Sequence, residues 1–207
     1  MAIELQTRFI PFSQSDLKIE TKQDAQILRG YAAKFDTMSG ELFRHTSGIR
    51  ETIRKGFFKN ALNQPGQIFA LFNHDDNFVL GERNAGTLRI DEDAIGLPFE
   101  ISLSDSRAVR DYVVTPIMRG ELAGCSFRAM VDMELVEYDR KADVFHMMPG
   151  AATLMADVGP VTFPAYPDTE VAARSIEFFI QRKRVKNITR KDREQFQLMK
   201  SKYGRIE

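Results

Sequence analysis

An α+β fold, with a mostly antiparallel, barrel-like sheet of about six or seven strands and flanking helices, is what three features of the sequence point to. Several runs alternate apolar and polar residues, the longest from Phe127 to Val136. Turn chemistry separates the runs at short spacing, most clearly at Asp91-Glu92-Asp93 and Gly96. Helical periodicity is confined to a few places, the best being Asp105–Met118, where Ala108, Val109, Tyr112, Val113 and Ile117 recur on one face.

Taken in order, residues 4–12 read as a short strand, and a polar loop follows through Asp24. Gln26–Phe35 is β-like, with Gly30 marking a bulge or a close backbone approach. Asp36–Gly48 is rich in Ser, Thr and Gly and reads as a long exposed loop, so His45 within it is expected to be a solvated histidine. Glu51–Leu62 predicts a helix with Ile53, Phe57, Phe58 and Leu62 near one face, closed by Pro65-Gly66. Gln67–Asn73 is a nearly continuous apolar strand, buried on both sides, that delivers His74 at its exit. Thr87–Ile90 and Leu97–Leu103 are the next two β segments. In the helix over Asp105–Met118, Ser104 or Asp105 is the N-cap and Pro116 should kink the helix or end it a turn early. Gly120 and Gly124 bracket the turn into a strand that runs to about Glu137, with a segment near Asp143–Met147 pairing against it. Thr153–Phe163 is again mostly apolar, and Asp168 or Thr169 caps a last helix through about Ile180.

The chain of 207 residues fits one domain with an appendage. Its charge divides unevenly. Residues 181–207 carry ten Lys or Arg against three acids, a net +7, while the remaining 19 basic and 26 acidic residues give −7. The division predicted is a body over 1–180 and a basic, partly helical tail over 181–207. One Cys excludes an intramolecular disulfide framework. The first residues show neither a basic nor an apolar signal region, and no run approaches a membrane span, so a soluble cytoplasmic protein without a membrane partner is expected. Three scattered His and a single Cys lack ligand spacing, so neither a metal nor a cofactor is expected. The tail's charge alone does not make a nucleic-acid binder, because the strands lack interleaved aromatic and basic residues.

The stretch Gly120-Glu121-Leu122-Ala123-Gly124-Cys125-Ser126-Phe127 offers two adjacent nucleophiles. Neighbouring side chains on a strand point to opposite faces. With Phe127, Val131 and Leu135 facing the core, Cys125 shares their side, and Ser126 points with Arg128, Asp132 and Glu134 toward solvent or a cleft. A hydroxyl needs an adjacent base. His74, at the exit of a buried strand, is the best candidate; its bland alternative is a turn or capping residue. Asp157 is an isolated carboxylate in an apolar strand, costly unless paired. It is either a satisfied structural acid or the group that orients the imidazole. His146, next to Phe145 on a strand, reads as structural and is the runner-up third member.

In order along the chain stand Arg29-Gly30-Tyr31-Ala32 leading into Phe35, Glu51–Phe58, Phe72-Asn73-His74-Asp75 with Leu80-Gly81, and Gly86-Thr87-Leu88-Arg89 with Asp93–Leu97. They continue with Arg119–Phe127 and Asp157-Val158-Gly159-Pro160-Val161-Thr162-Phe163-Pro164-Ala165. Over roughly residues 27–173 this set resembles the prohead proteases of tailed phages, the capsid-maturation serine peptidases related in fold to the herpesvirus assembly proteases. The resemblance implies Ser126 as nucleophile, His74 as general base and Asp157 as third member, where the family commonly has Glu. Two other departures are Gly159-Pro160 in place of a Ser-Leu-like pair and Arg128 where Gly is frequent. The herpesvirus relatives use a second histidine, which is the role His146 would take.

The implied activity is a serine endopeptidase of prohead maturation working through an acyl-enzyme, located in the host cytoplasm inside the assembling prohead. Scaffold and major capsid proteins are the implied substrates, self-cleavage and a homo-oligomer are open, and the basic tail would tether the enzyme. Two alternatives stand beside it: a non-catalytic capsid-assembly or scaffolding module on the same fold, and an enzyme whose nucleophile is Cys125.

Overall fold

The structure, a computed structural model, describes residues 3–22, 25–39, 50–122, 124–139 and 141–162. His45, the exit after Phe163, the last helix through Ile180 and the tail over 181–207 lie outside the described residues. Everything described falls in one compact unit, Met1–Tyr166. In chain order its strands are β1 (Ile3–Pro11), β2 (Lys18–Lys22), β3 (Ala25–Lys34), β4 (Arg50–Ile53), β5 (Phe69–Leu71) and β6 (Val79–Glu82). They continue with β7 (Leu88–Ile90), β8 (Gly96–Ser102), β9 (Gly124–Asp132), β10 (Val136–Asp139), β11 (Val144–Met147) and β12 (Ala152–Val161). The helices are short: α1 (Phe12–Ser15), α2 (Lys59–Asn63), α3 (Arg107–Val109) and α4 (Thr115–Met118).

The α+β class holds, but the sheet is not a barrel. Among the described residues the strands form three sheets, ordered β1-β9-β12-β5-β6, β2-β3-β8-β7 and β10-β11-β4, none of them closed. Pairing is mostly antiparallel; β12 with β5 and β11 with β4 are parallel. The reason for three sheets lies in breaks that alternation does not announce. The strand expected to run from Ser126 to Glu137 stops at Asp132, whose side chain caps a 3₁₀ turn at Met133–Leu135, and the chain re-emerges as β10 in a different sheet. Leu135, expected in the core, is therefore 40% exposed.

The helix expected over Glu51–Leu62 is a second correction. β-branched Thr52 and Ile53 pair in parallel with His146 and Met147 of β11, so the segment begins as a buried strand. Gly56, at φ +88°, turns the chain, and only Lys59–Asn63 is helical. At Pro116, by contrast, the helix does not end early. Arg110–Val114 widens into a π-helical turn, and Pro116 enters the first turn of α4, where a missing N–H costs little. Gly120, at φ +69°, then closes α4: its N–H donates to the Ile117 carbonyl and that of Glu121 to the Pro116 carbonyl.

The core backs the site directly. Phe127 of β9 meets Phe58 edge-to-face at 4.9 Å between ring centroids, and Phe58 meets Phe57 at 4.7 Å. Each such pair adds about 0.5–1.5 kcal/mol beyond its buried area. All three rings are fully buried, so β9 is anchored on the face that carries Phe127.

Candidate active site

Ser126 sits in the third position of β9, between two strands. On one side Phe9 of β1 is its register partner, on the other Gly159 of β12. Alternation puts Cys125, Phe127, Ala129 and Val131 into the core. Ser126 and Arg128 take the opposite face, where they meet His74 and Asp157.

His74 leaves the end of β5 through two successive residues in the left-handed region, Asn73 at φ 56° and His74 at φ 57°. Such backbone is costly for side-chain-bearing residues, and Asn and His tolerate it better than most. The cost is offset by a clamp onto the end of β12. Asn73 donates its N–H to the Pro160 carbonyl (3.1 Å), and its side chain accepts from the Thr162 N–H (2.7 Å) and donates to the Thr162 hydroxyl (3.1 Å). The strand carrying Asp157 thus holds the turn carrying His74.

The resulting geometry is a chain of contacts through one imidazole. His74 Nδ1 lies 2.5 Å from Asp157 Oδ1, and Nε2 lies 2.7 Å from Ser126 Oγ. Asp157 is 1% exposed, and its other oxygen, Oδ2, accepts from Arg128 Nε. Arg128 stands directly opposite Asp157 in the β9–β12 ladder and also reaches Asp76, 3.3 Å away. A carboxylate this deeply buried needs both partners to offset the loss of water. Sequence reading put Arg128 on Ser126's face but missed its partner: alternation gives the face, and only the β9–β12 register brings Arg128 opposite Asp157.

Ser126 Oγ has a second neighbour, the carbonyl of Arg8 at 2.8 Å. A hydroxyl has one proton. It can donate to the imidazole or to the Arg8 carbonyl; in the second case His74 Nε2 must be the donor to Oγ. An imidazole placed between a buried carboxylate and a serine hydroxyl can take the hydroxyl proton as the oxygen attacks, and the carboxylate then faces the imidazolium formed.

The other candidates lie elsewhere. Cys125 is fully buried on the core face, and desolvation pushes its thiol well above the ordinary range despite a hydrogen bond with Ser15, so it is held as the poorly nucleophilic thiol. His146 is in the three-stranded sheet, where its Nδ1 lies 2.7 Å from the Thr52 hydroxyl and 3.2 Å from Arg54 Nη2. Since arginine only donates, that nitrogen is an acceptor. Among the described residues no group of three or more His, Cys, Asp and Glu could hold a metal ion.

Gly159 explains how the strands come so close. A Cβ built there would lie 1.9 Å from the Leu71 carbonyl oxygen, at the end of the strand that leads to His74. Gly159→Ala is therefore expected to destabilise the fold by about 3 kcal/mol or more, read as a lower urea midpoint, because rigid backbone cannot yield as a side chain would. An unchanged midpoint would mean that β5 does not sit this close to β12.

The chain matches the Caudovirus prohead serine protease family over residues 13–182. It belongs to that family. The matched span contains β2 through β12, and with them His74, Ser126 and Asp157; β1 precedes it. No curated protein and no solved structure matches the chain. Membership places the chain among the serine proteases of tailed-phage capsid maturation.

Proposed function

We propose that this prohead protease family member is an active serine endopeptidase in which Ser126 is the nucleophile, His74 the general base and Asp157 the residue that orients His74. Its substrates are the scaffold protein, the major capsid protein and its own chain, cleaved inside the assembling prohead. One observation carries the reading: the imidazole of His74 bridges a buried carboxylate and the serine hydroxyl at 2.5 and 2.7 Å. That bridge supplies base, nucleophile and orienting group in hydrogen-bond reach of one another.

The steps follow from the geometry. Ser126 Oγ adds to the peptide carbonyl carbon as its proton passes to His74 Nε2. The imidazolium returns that proton to the departing amine, leaving the acyl group as an ester on Ser126. Water, activated by the same nitrogen, hydrolyses the ester. Arg128 does not touch substrate in this scheme; it holds the second oxygen of Asp157. Kinship in fold with the herpesvirus assembly proteases belongs to this reading, as does a tethering role for the basic segment 181–207.

A non-catalytic assembly module would have no need of the strained backbone at Asn73 and His74, which lowers stability while aiming one side chain. The decisive test is co-expression with the capsid and scaffold proteins of a tailed phage. Wild type and Cys125→Ala are expected to process both partners, and Ser126→Ala to leave both intact. Processing that survives Ser126→Ala overturns the proposal.

A further inference from the structure

We propose that the cavity beside β1 and Glu51 is a subsite for a basic side chain of an extended substrate strand, and that Arg8 of the chain's own first strand occupies it at rest. The inference rests on Ser126 being the nucleophile and goes on to say what that serine cuts. β1 lies antiparallel along β9 over its whole length, with Arg8 paired to Phe127 and Phe9 to Ser126. Arg8 meets the site twice. Its carbonyl lies 2.8 Å from Ser126 Oγ, while its side chain passes to the Phe127 face and brings Nε within 2.5 Å of Glu51 Oε1.

Glu51 is an unusual residue for that place. It sits in β4 at 4% exposure, and among the described residues its Oε2 has no hydrogen-bond partner. A buried carboxylate is retained against such a cost when it has a cation to meet. Arg8 supplies the charge but not a full set of hydrogen bonds. Its Nε makes none of good direction, and its Nη1 turns away to the Gln6 side chain and the Thr7 carbonyl. The pair is matched in sign and poorly matched in geometry, as a replaceable occupant would be. A cavity of about 210 Å³ opens beside it, with Ala32, Ala33, Ile53 and Phe127 among its walls. Apolar walls ending at a carboxylate suit the aliphatic stem and charged head of Arg or Lys. Lys34, also on the wall, is engaged by Asp16 at 2.7 Å.

Strand addition is a general mode of peptide recognition: main-chain pairing gives affinity and side-chain pockets give specificity. A substrate strand that takes the place of β1 on β9 puts its basic residue against Glu51 and that residue's carbonyl at Ser126. The bond broken is then the one that follows the basic residue. Ser126 Oγ bonds to its carbonyl carbon, the C–N bond breaks, the amine leaves with the proton carried by His74, and water releases the new carboxylate. With β1 in place Ser126 is 0% exposed, and the Arg8 carbonyl competes with His74 for its proton. The first strand therefore acts as a competitor of substrate, and it lies ahead of the family-matched span, which starts at residue 13.

The test uses the full chain. Arg8→Ala is titrated with ethylguanidinium and followed by thermal shift, and wild type and Arg8→Ala are each incubated with a peptide library. Expected are saturable ethylguanidinium binding to Arg8→Ala at least tenfold tighter than to wild type, and its loss in Arg8→Ala/Glu51→Gln. Cleavage is expected directly after Arg or Lys, about tenfold faster in Arg8→Ala. Should the Glu51 variant fail to fold, the comparison of wild type with Arg8→Ala decides alone. Equal ethylguanidinium binding by these two overturns the subsite. Ser126-dependent cleavage without preference for a basic residue also overturns it and leaves the Ser126 reading intact. Ethylguanidinium binding with no Ser126-dependent cleavage by any variant overturns the catalytic reading, and the substrate role of the subsite with it.

Discussion

Removing Ser126, His74 or both together from the purified protease is expected to cost the same, a fall in kcat on the order of 10⁶-fold. The two side chains act as one unit across the 2.7 Å contact between Oγ and Nε2. Without the imidazole the hydroxyl keeps its proton through the attack, and without the hydroxyl the imidazole has nothing to deprotonate. The double variant therefore loses nothing that either single variant had kept. The residual rate, about 10³–10⁴ over water, would come from substrate binding and oxyanion stabilisation. Steady-state kinetics on one peptide for the three variants checks this. Losses that multiply, so that the double variant falls far below both singles, would show two independent contributions and break the assignment.

Asp157→Asn is expected to lower kcat by about 10⁴-fold with little change in KM. The size of the loss follows from Arg128. Arginine only donates, so the new amide must turn its oxygen to Arg128 Nε. Its NH₂ then faces His74 Nδ1, which is forced to accept, and the imidazole hydrogen moves to Nε2, the atom that must take the serine proton. The enzyme keeps its shape and holds the wrong tautomer. Arg128→Met should behave differently. It strands a carboxylate that is 1% exposed and should cost about 3 kcal/mol in stability, the low end for a broken buried pair because Arg128 is itself a quarter exposed. It leaves Asp157 Oδ1 on His74, so its kcat should fall far less than that of Asp157→Asn. Chemical denaturation and kcat measured on the two variants separate the roles.

The faces of β9 were legible in the sequence because alternation has a strict period of two, and that period separates Cys125 from Ser126 without appeal to reactivity. His74, Ser126 and Asp157, which the structure brings into contact, were noticeable in the sequence because each is an oddity in its own strand or strand exit. Other elements were not legible. β2 reads Lys-Ile-Glu-Thr-Lys, with too little apolar content to announce a strand, and it forms because β3 offers it an edge. The segment from Arg50 carries apolar residues four apart, Ile53 with Phe57 and Phe58 with Leu62, yet pairing with β11 outweighs that spacing at its start. The end of β9 depends on Asp132 capping a 3₁₀ turn, a local hydrogen bond that looks in the sequence like another polar residue on the solvent face. Arg8 carries no local signal at all, since its meaning depends on partners in β4 and β9 far along the chain.

That distance has a consequence during synthesis. Arg8 and Ser126 are 118 residues apart, so the first strand leaves the ribosome roughly 6–24 s before the strand it pairs with. His74 likewise waits for Ser126, 52 residues on, and for Asp157, 83 residues on. Contacts closing loops of this length form late in folding, after local ones. A nascent or half-folded chain thus lacks the assembled contacts of His74 with Ser126 and Asp157. When Ser126 does arrive, the strand that will cover it has already been made, so the serine and the strand paired beside it come together in the same late event.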